Sequence, residues 1–224
     1  LAFRNLKENS TTIEITDKFL LSAPSESKNL KTYLASEVCQ VTITEPRVGM
    51  PSWTNLSSRT KMNEITQSAE LSGGGVYACF WDSKLIYIGK FTGTKLDPLG
   101  GCVVDRIHKH MIGFTLRAQK LFFKQSVRTA IENNLPDISE AGRRIAQDIA
   151  AAGPEIVIDR GNCATFNKAR FASLHWDEIE HLAPEKLAER FSFLYKRVDL
   201  GGKPCPSKAT LDKKLIEPIE TELI

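Results

Sequence analysis

The sequence lacks the features that mark several common protein classes. It has five cysteines among 224 residues, and no two of them form a Cys-x-x-Cys pair. They stand at Cys39, Cys79, Cys102, Cys163 and Cys205. Disulfide frameworks and structural zinc sites need paired, closely spaced thiols, so we expect neither. Scattered cysteines are typical of a reducing compartment, and the expected location is the cytoplasm.

Long apolar runs are absent as well. No stretch approaches the ~20 apolar residues of a membrane-spanning helix, and the first residues do not have the pattern of a signal peptide. We therefore expect no membrane partner. The glycine run 73–75 is not followed by Lys-Ser or Lys-Thr, so it is not a phosphate-binding loop and no nucleotide cofactor is expected.

Acidic residues are missing from one segment of the chain. The net charge of the whole chain is only +3, but no acid lies between Asp105 and Glu132. The cations of this segment are Arg106, Lys109, Arg117, Lys120, Lys124 and Arg128. A local excess of cations favours contact with nucleic-acid phosphates. A solvated helix face would carry the same pattern.

The clearest local pattern in the chain predicts a β-hairpin. Residues 76–81 read as a buried strand, residues 82–84 have turn chemistry, and residues 85–88 read as a second strand that ends at Gly89. Gly73–Gly75 is interpreted as a hinge into this hairpin, and residues 92–101 are predicted to form a loop.

The rest of the sequence predicts mainly helices. We expect helices at about 102–111, 116–133, 137–152, 184–189 and 207–224. Strands are expected at 37–43, 155–159 and 191–198. The length allows one core, or one core with a smaller appendage.

Two tripeptides of the hairpin resemble the motifs of the GIY-YIG nuclease family. They are Gly75–Tyr77 and Tyr87–Gly89, with nine residues between the two tyrosines. Lys90 follows the second motif, Arg106 lies on the next predicted helix, and Glu220 precedes an apolar ridge late in the chain, as in the family. The resemblance implies an α/β fold with a small, mainly antiparallel sheet of about three strands flanked by helices.

A further pair of residues resembles one branch of this family. Arg106 and His110 are four residues apart and share a helix face, as in restriction enzymes that cut CCGCGG. The resemblance implies a catalytic domain at 73–224 with a helical insertion at about 113–188. Residues 1–72 would then be an N-terminal arm with a role in DNA recognition. The expected partner is double-stranded DNA, bound by a homodimer or a higher homo-oligomer.

The chemistry of phosphodiester hydrolysis requires residues of these types. Glu220 would hold one Mg²⁺ or Mn²⁺, and Arg106 would stabilise charge on the phosphate. Either Tyr77 or His110 would take the proton of the attacking water, whereas Tyr87 and Lys90 would position phosphate and water. The expected DNA contacts are His108, Lys109, Arg117, Lys120, Lys124 and Arg128.

Other interpretations of the same residues remain open. Tyr77 and Tyr87 could be a cross-strand aromatic pair, and His110 could be a helix cap. The competing carboxylates for Glu220 are Glu180, Glu217 and Glu222. The family normally has an Asn about a dozen residues after the metal-binding Glu, and this sequence ends at Ile224. Alternative functions are a repair or mobile-element nuclease of the same family, or a non-catalytic DNA-binding protein.

Overall fold

The computed structural model of the protein describes residues 31–134, 139–151 and 162–223. The strands are β1 (Thr32–Leu34), β2 (Cys39–Ile43), β3 (Leu56–Thr60), β4 (Gly75–Trp81), β5 (Lys84–Phe91), β6 (Leu121–Phe123), β7 (Asn162–Ala164) and β8 (Phe191–Arg197). The helices are α1 (Ala35–Val38), α2 (Val104–Phe114), α3 (Gln125–Asn134), α4 (Glu140–Ala151), α5 (Phe166–Leu174), α6 (Trp176–Ile179), α7 (Pro184–Arg190), α8 (Lys208–Thr210) and α9 (Glu217–Leu223). A 3₁₀ turn covers Ala69–Leu71, and a π-helical turn at Leu211–Ile216 joins α8 to α9.

The fold is mixed α/β with a mainly antiparallel sheet flanked by helices, which confirms the predicted fold class. The main sheet has four strands in the order β1-β8-β4-β5, one more than expected. All its neighbouring strands are antiparallel. The additional strand is β1, which lies in the segment interpreted as an N-terminal arm and pairs with β8 through Tyr33 and Phe193.

The chain divides into two compact units, and the division does not follow the sequence order. Of the described residues, the first unit contains 31–39, 60–107 and 189–223, and the second contains 40–59 and 108–188 apart from its two undescribed stretches. The described part of the segment 1–72 is therefore shared between the units. The described part of the expected insertion at 113–188 lies within the second unit.

The β4–β5 hairpin turns through two residues with left-handed backbone conformation. The φ angles of Asp82 and Ser83 are 46° and 65°, and such a turn matches the twist of the strands that it joins. The guanidinium of Arg190 fixes the turn, because its Nε lies 2.9 and 3.0 Å from the two carboxylate oxygens of Asp82. Arg190 also lies over the Trp81 ring, 4.5 Å from its centroid. The predicted hairpin is thus confirmed.

The two faces of the sheet pack in different ways. One face carries a mainly aliphatic core of the first unit, called the aliphatic core below. It is formed by Val76, Ala78, Phe80, Ile88, Leu194, Val198, Leu211 and Ile216. The other face carries aromatic residues, including the stacked pair of Tyr33 and Phe193 with ring centroids 5.4 Å apart. Burying apolar side chains on both faces stabilises the sheet at roughly 25 cal/mol per Å² of apolar surface.

The second unit corrects one predicted helix. Residues 116–133 were expected to form a single helix, but Leu116 has a φ of 56° and residues 121–123 form the strand β6. β6 pairs in parallel with β7, about forty residues later in the chain, and this long-range pairing overrides the local helical pattern. Only α3 remains of the expected helix.

The remaining sequence-based predictions differ little from the structure. The helices at 102–111 and 184–189 correspond to α2 and α7, and the strand at 191–198 corresponds to β8. The first two residues of the strand expected at 37–43 are the end of α1, and the other five form β2. The strand expected at 155–159 lies outside the described residues. None of the helices in the described ranges is long and apolar enough to cross a membrane.

Candidate active site

The two motif tyrosines lie on the same face of the sheet because the hairpin contains a β-bulge. Beyond the turn, Phe80 pairs with Leu85, but Cys79 pairs with Tyr87, so Ile86 is an additional residue in β5. Successive residues of a strand point to opposite faces, and without the bulge Tyr87 would face the aliphatic core. The bulge turns Tyr87 to the face of Cys79 and Tyr77.

Gly89 provides the space for both tyrosine rings. It lies directly opposite Tyr77 in the β4–β5 register. A Cβ atom at this position would be 2.5 Å from Cε1 of Tyr87 and 2.8 Å from Oη of Tyr77. Such distances are far below van der Waals contact, so only glycine fits here without displacing a tyrosine.

Gly75 has the equivalent role toward the neighbouring strand. A Cβ atom on Gly75 would be 2.2 Å from the carbonyl oxygen of Lys196 and 2.9 Å from the ring of Tyr195. The Tyr195 hydroxyl passes this glycine and donates a 2.7 Å hydrogen bond to the carbonyl of Gly73. Gly73 and Gly75 are therefore packed against β8. The interpretation of Gly73–Gly75 as a hinge stays a prediction.

The hydroxyls of Tyr77 and Tyr87 are hydrogen-bonded to each other, and their ring centroids are 5.9 Å apart. Burial raises the pKa of both phenols, that of Tyr77 well above 10. The mutual hydrogen bond raises the pKa of Tyr77 and lowers that of Tyr87. A hydrogen bond stabilises the protonated form of its donor and the ionised form of its acceptor, so the Tyr77 hydroxyl is the donor and the Tyr87 hydroxyl is the acceptor. Both groups therefore stay protonated at neutral pH.

Arg106 lies close to this pair at the start of α2. Its positive charge lowers the pKa of both phenols, although burial has the larger effect. The backbone just before the helix is fixed to the chain just before β4, since Val103 N–H donates to Leu71 O at 2.9 Å and Gly73 N–H donates to Gly101 O at 3.2 Å. The Arg106 side chain is exposed, so its guanidinium can also reach a ligand.

Glu220 lies on α9, and its charge acts on one residue of the tyrosine pair. Its negative charge raises the pKa of Tyr87, which therefore experiences the charges of both Glu220 and Arg106. Partial burial raises the pKa of the Glu220 carboxyl, the charge of Lys90 lowers it, and the charges of Glu217 and Asp212 raise it again. Of the predicted residues, Tyr87 is thus the one whose pKa responds to Tyr77, Arg106 and Glu220.

Lys90 lies on the face of the sheet opposite to the tyrosines. Ile88 belongs to the aliphatic core, and Lys90, two residues later in β5, points to the same face as Ile88. The ammonium is 3.1 Å from Asp212 and 3.8 Å from Glu217. Burial alone would lower the pKa of Lys90, but the hydrogen bond to Asp212 and the nearby carboxylates raise it.

His110 and His108 lie on α2 beyond Arg106. His110 follows Arg106 by one helical turn, is half-buried, and has its ring centroid 6.2 Å from that of Phe114. Nδ1 of His108 is 2.9 Å from the hydroxyl of Ser58. His110 is therefore on the helix that carries Arg106, with the spacing that the sequence predicts.

Two of the expected DNA contacts are structural residues instead. Only 4% of Arg117 is exposed, and its guanidinium donates to Ile179 O at 2.9 Å, to Leu182 O at 2.7 Å and to Asn55 Oδ1 at 3.2 Å. Arg128 is 8% exposed and donates to Ile149 O at 3.4 Å. Buried guanidinium groups that satisfy backbone carbonyls are not available to phosphate, so both assignments are corrected.

The other expected cations remain accessible. Lys109, Lys120 and Lys124 are exposed. Their exposure distinguishes these lysines from the two buried arginines. The sequence alone could not make this distinction, because a solvated lysine and a buried arginine contribute the same charge to the pattern.

The structure adds two features that the sequence did not indicate. One is the bulge at Ile86, and the other is the contact of Asp212 with Lys90.

Among the carboxylates that compete with Glu220 as metal ligand, Glu180 forms an ion pair with Arg144, and Glu222 is exposed. In the described part of the chain, no group of three or more His, Cys, Asp or Glu residues is arranged to hold a metal ion.

Comparisons of the chain with protein-family models, with curated proteins and with solved structures gave no match.

Proposed function

We propose that the protein is a metal-dependent DNA endonuclease of the GIY-YIG type, acting as a sequence-specific restriction enzyme. The observation that carries this proposal is the environment of Tyr87, which interacts with Tyr77, Arg106 and Glu220. The two phenols are hydrogen-bonded to each other, and Tyr87 experiences the opposite charges of Arg106 and Glu220. An aromatic pair with a purely structural role would need neither an exposed arginine nor a carboxylate beside it.

Glu220 fits the role of ligand to a single Mg²⁺ or Mn²⁺ ion. Mg²⁺ prefers oxygen ligands, keeps several waters and is commonly bound through one or two carboxylates together with substrate phosphates. A lone carboxylate near phosphate-binding groups matches this preference. When bound, such an ion would supply positive charge to the phosphate and the leaving oxygen. Partial burial of Glu220 strengthens its attraction to a cation because water screens it less.

Arg106 would stabilise the negative charge that develops on the phosphate. A guanidinium is permanently charged and can donate two parallel hydrogen bonds to phosphate oxygens. Its side chain is exposed, while the start of its helix is anchored by backbone hydrogen bonds. The backbone that carries the arginine is thus fixed, and its exposed guanidinium can reach a phosphate.

The pKa of Tyr77 favours His110 as the proton acceptor. A phenol whose pKa lies well above 10 is a poor base at neutral pH, because almost none of it is ionised. Tyr77 and Tyr87 would instead orient the attacking water and the phosphate through their hydroxyls. An imidazole, with an ordinary pKa of about 6.5, exchanges protons in the working range.

The proposed partner is double-stranded DNA, bound by a homodimer or a higher homo-oligomer. Besides Arg106, the exposed members of the basic segment are Lys109, Lys120 and Lys124, and we assign the phosphate contacts outside the active site to these lysines. Their contribution would not depend on the DNA sequence and would weaken with salt. A two-fold symmetric assembly would match a palindromic target.

Digestion of a long duplex DNA tests the proposal. With Mg²⁺, the wild-type protein should give discrete fragments with 5′-phosphate ends, and EDTA should prevent their formation. Arg106→Ala should reduce the rate by about 100- to 1,000-fold, the usual cost of losing a group that stabilises transition-state charge. Binding of the same DNA without cleavage, over a range of sequences and divalent metals, would contradict the proposal and favour a non-catalytic DNA-binding protein.

A further inference from the structure

The ammonium of Lys90 is held by two carboxylates of the C-terminal helical segment. It lies 3.1 Å from Oδ1 of Asp212, within hydrogen-bonding distance, and 3.8 Å from Oε2 of Glu217. About a third of each side chain in the closer pair is exposed, with 31% for Lys90 and 32% for Asp212. An ammonium has three donors, so Asp212 leaves others available for a phosphate.

A π-helical turn makes this double contact possible. Residues Leu211–Ile216 are π-helical, and the backbone N–H of Glu217 donates to the carbonyl of Asp212, five residues earlier. Asp212 and Glu217 are therefore stacked along the helix. In an α-helix, residues five apart are separated by about 140° around the axis, since each residue turns by about 100°. A regular helix could present only one of the two carboxylates to Lys90.

The stability of the ion pair does not by itself account for the π turn. Ion pairs of this exposure contribute roughly 0–1 kcal/mol. π turns are rare and occur frequently at functional sites. The same helical segment carries Glu220, three residues after Glu217, and Lys90 directly follows the Tyr87–Gly89 motif. The ion pair thus links the strand of one motif tyrosine to the helix of the proposed metal ligand.

We propose that Asp212 is a positioning residue of the proposed nuclease reaction: it holds the ammonium of Lys90 on the sheet face that packs against α9, the helix of Glu220, where it meets the DNA phosphate. A lysine side chain has about 2 kcal/mol of rotamer entropy. Fixing the side chain before the substrate arrives removes this cost from the chemical step. Asp212 acts through Lys90 and touches neither DNA nor metal. The inference rests on the proposed function.

A double-mutant cycle tests the inference, because it measures whether one residue acts through another. Asp212→Asn keeps the size of the side chain and removes its charge. In the otherwise wild-type protein it should lower kcat about tenfold, with KM for duplex DNA and the thermal midpoint unchanged. In a Lys90→Met protein, the same substitution should change kcat by less than twofold. Asp177→Asn, a change at an exposed aspartate of α6, is the matched control and should leave kcat unchanged.

The possible results separate this inference from the proposed function. The inference would be overturned if Asp212→Asn lowered kcat equally in the wild-type and Lys90→Met backgrounds, or did not lower it in the wild-type background. In either case, DNA cleavage by the wild-type protein would still support the proposed nuclease function. A lower thermal midpoint together with weaker DNA binding, measured by fluorescence anisotropy in Ca²⁺, would also overturn it, because it indicates a structural role. Failure of the wild type to cleave DNA would refute the proposed function, and the inference would fall with it.

Discussion

Gly89 shows how a single missing side chain determines the geometry of the candidate site. Both motif tyrosines lie where a Cβ atom on this residue would be, at 2.5 Å from Tyr87 and 2.8 Å from Tyr77. The glycine of the second motif is therefore needed for the packing of the tyrosines. Its conformational freedom is not the reason, because the residue is in regular strand pairing.

Gly89→Ala should consequently impair cleavage more than stability. Displacing two packed rings should cost about 1–3 kcal/mol and should disrupt the hydrogen bond between the tyrosine hydroxyls, so we expect at least a tenfold lower cleavage rate. The measurement is the rate of DNA cleavage beside urea unfolding. Gly201→Ala is the control, because Gly201 has a φ of 56° and open space around it, so alanine there strains the backbone without touching the site. Equal effects of the two substitutions on cleavage would contradict this account.

Arg117 illustrates at the residue scale what a sequence does not disclose. In the sequence it is one of six cations in a segment without acids. In the structure, its guanidinium satisfies the carbonyls of Ile179 and Leu182, more than sixty residues later. Contacts between residues so distant in the chain arise from tertiary packing, and no local pattern indicates them.

Arg117→Met should therefore destabilise the second unit instead of weakening DNA binding directly. The substitution leaves buried acceptors on Asn55, Ile179 and Leu182 without their donor, which should lower the free energy of unfolding by about 3 kcal/mol. Lys124→Met is the comparison, and it should change stability by less than about 0.5 kcal/mol. For Lys124→Met we expect weaker DNA binding and a salt dependence reduced by about one unit of slope. The opposite pattern, with Arg117→Met affecting only DNA binding, would restore its assignment as a phosphate contact.

At the scale of secondary-structure elements, the sequence predicted those whose pattern is local. The β4–β5 hairpin follows from a buried apolar run and a two-residue turn at Asp82 and Ser83, and β8 follows from its own apolar run. The helix expected at 116–133 failed because β6 pairs with β7, a strand far away in sequence. The helix expected at 207–224 is described to residue 223, but its π turn was not foreseen.

The bulge in β5 limits what spacing alone can predict about the site. Counting residues across the two-residue turn would place Tyr87 opposite Ala78, on the aliphatic face of the sheet. The extra residue at Ile86 shifts the pairing so that Tyr87 lies opposite Cys79. The motifs therefore predicted that the tyrosines would meet, whereas only the structure explains how they do.

At the scale of the whole molecule, all four tyrosines share one property. Burial is the largest cause that raises the pKa of each, namely Tyr33, Tyr77, Tyr87 and Tyr195. In the unfolded chain these phenols would titrate near the ordinary value of about 10. The unfolded state therefore loses these protons at a lower pH than the folded state. The stabilisation is fully present below pH ~10 and is lost as the pH rises further.

Alkaline titration should accordingly couple tyrosine ionisation to unfolding. We expect the tyrosinate absorbance at 295 nm to stay low near pH 10 while the protein is folded. It should then rise together with the loss of far-ultraviolet circular dichroism at higher pH. A tyrosinate signal that develops near pH 10 with an intact circular dichroism spectrum would contradict the burial of the tyrosine pair.

The proposed role of the molecule depends most directly on Glu220. The test of this role is the rate of single-turnover cleavage of a duplex DNA in Mg²⁺. The rate is measured for Glu220→Gln and for Glu222→Gln, two substitutions of the same type on α9. We predict that Glu220→Gln lowers the cleavage rate at least about 100-fold, because the metal loses its protein ligand, while Glu222→Gln cleaves like the wild type. Wild-type rates for Glu220→Gln, or a large loss only for Glu222→Gln, would contradict the site proposed for this protein.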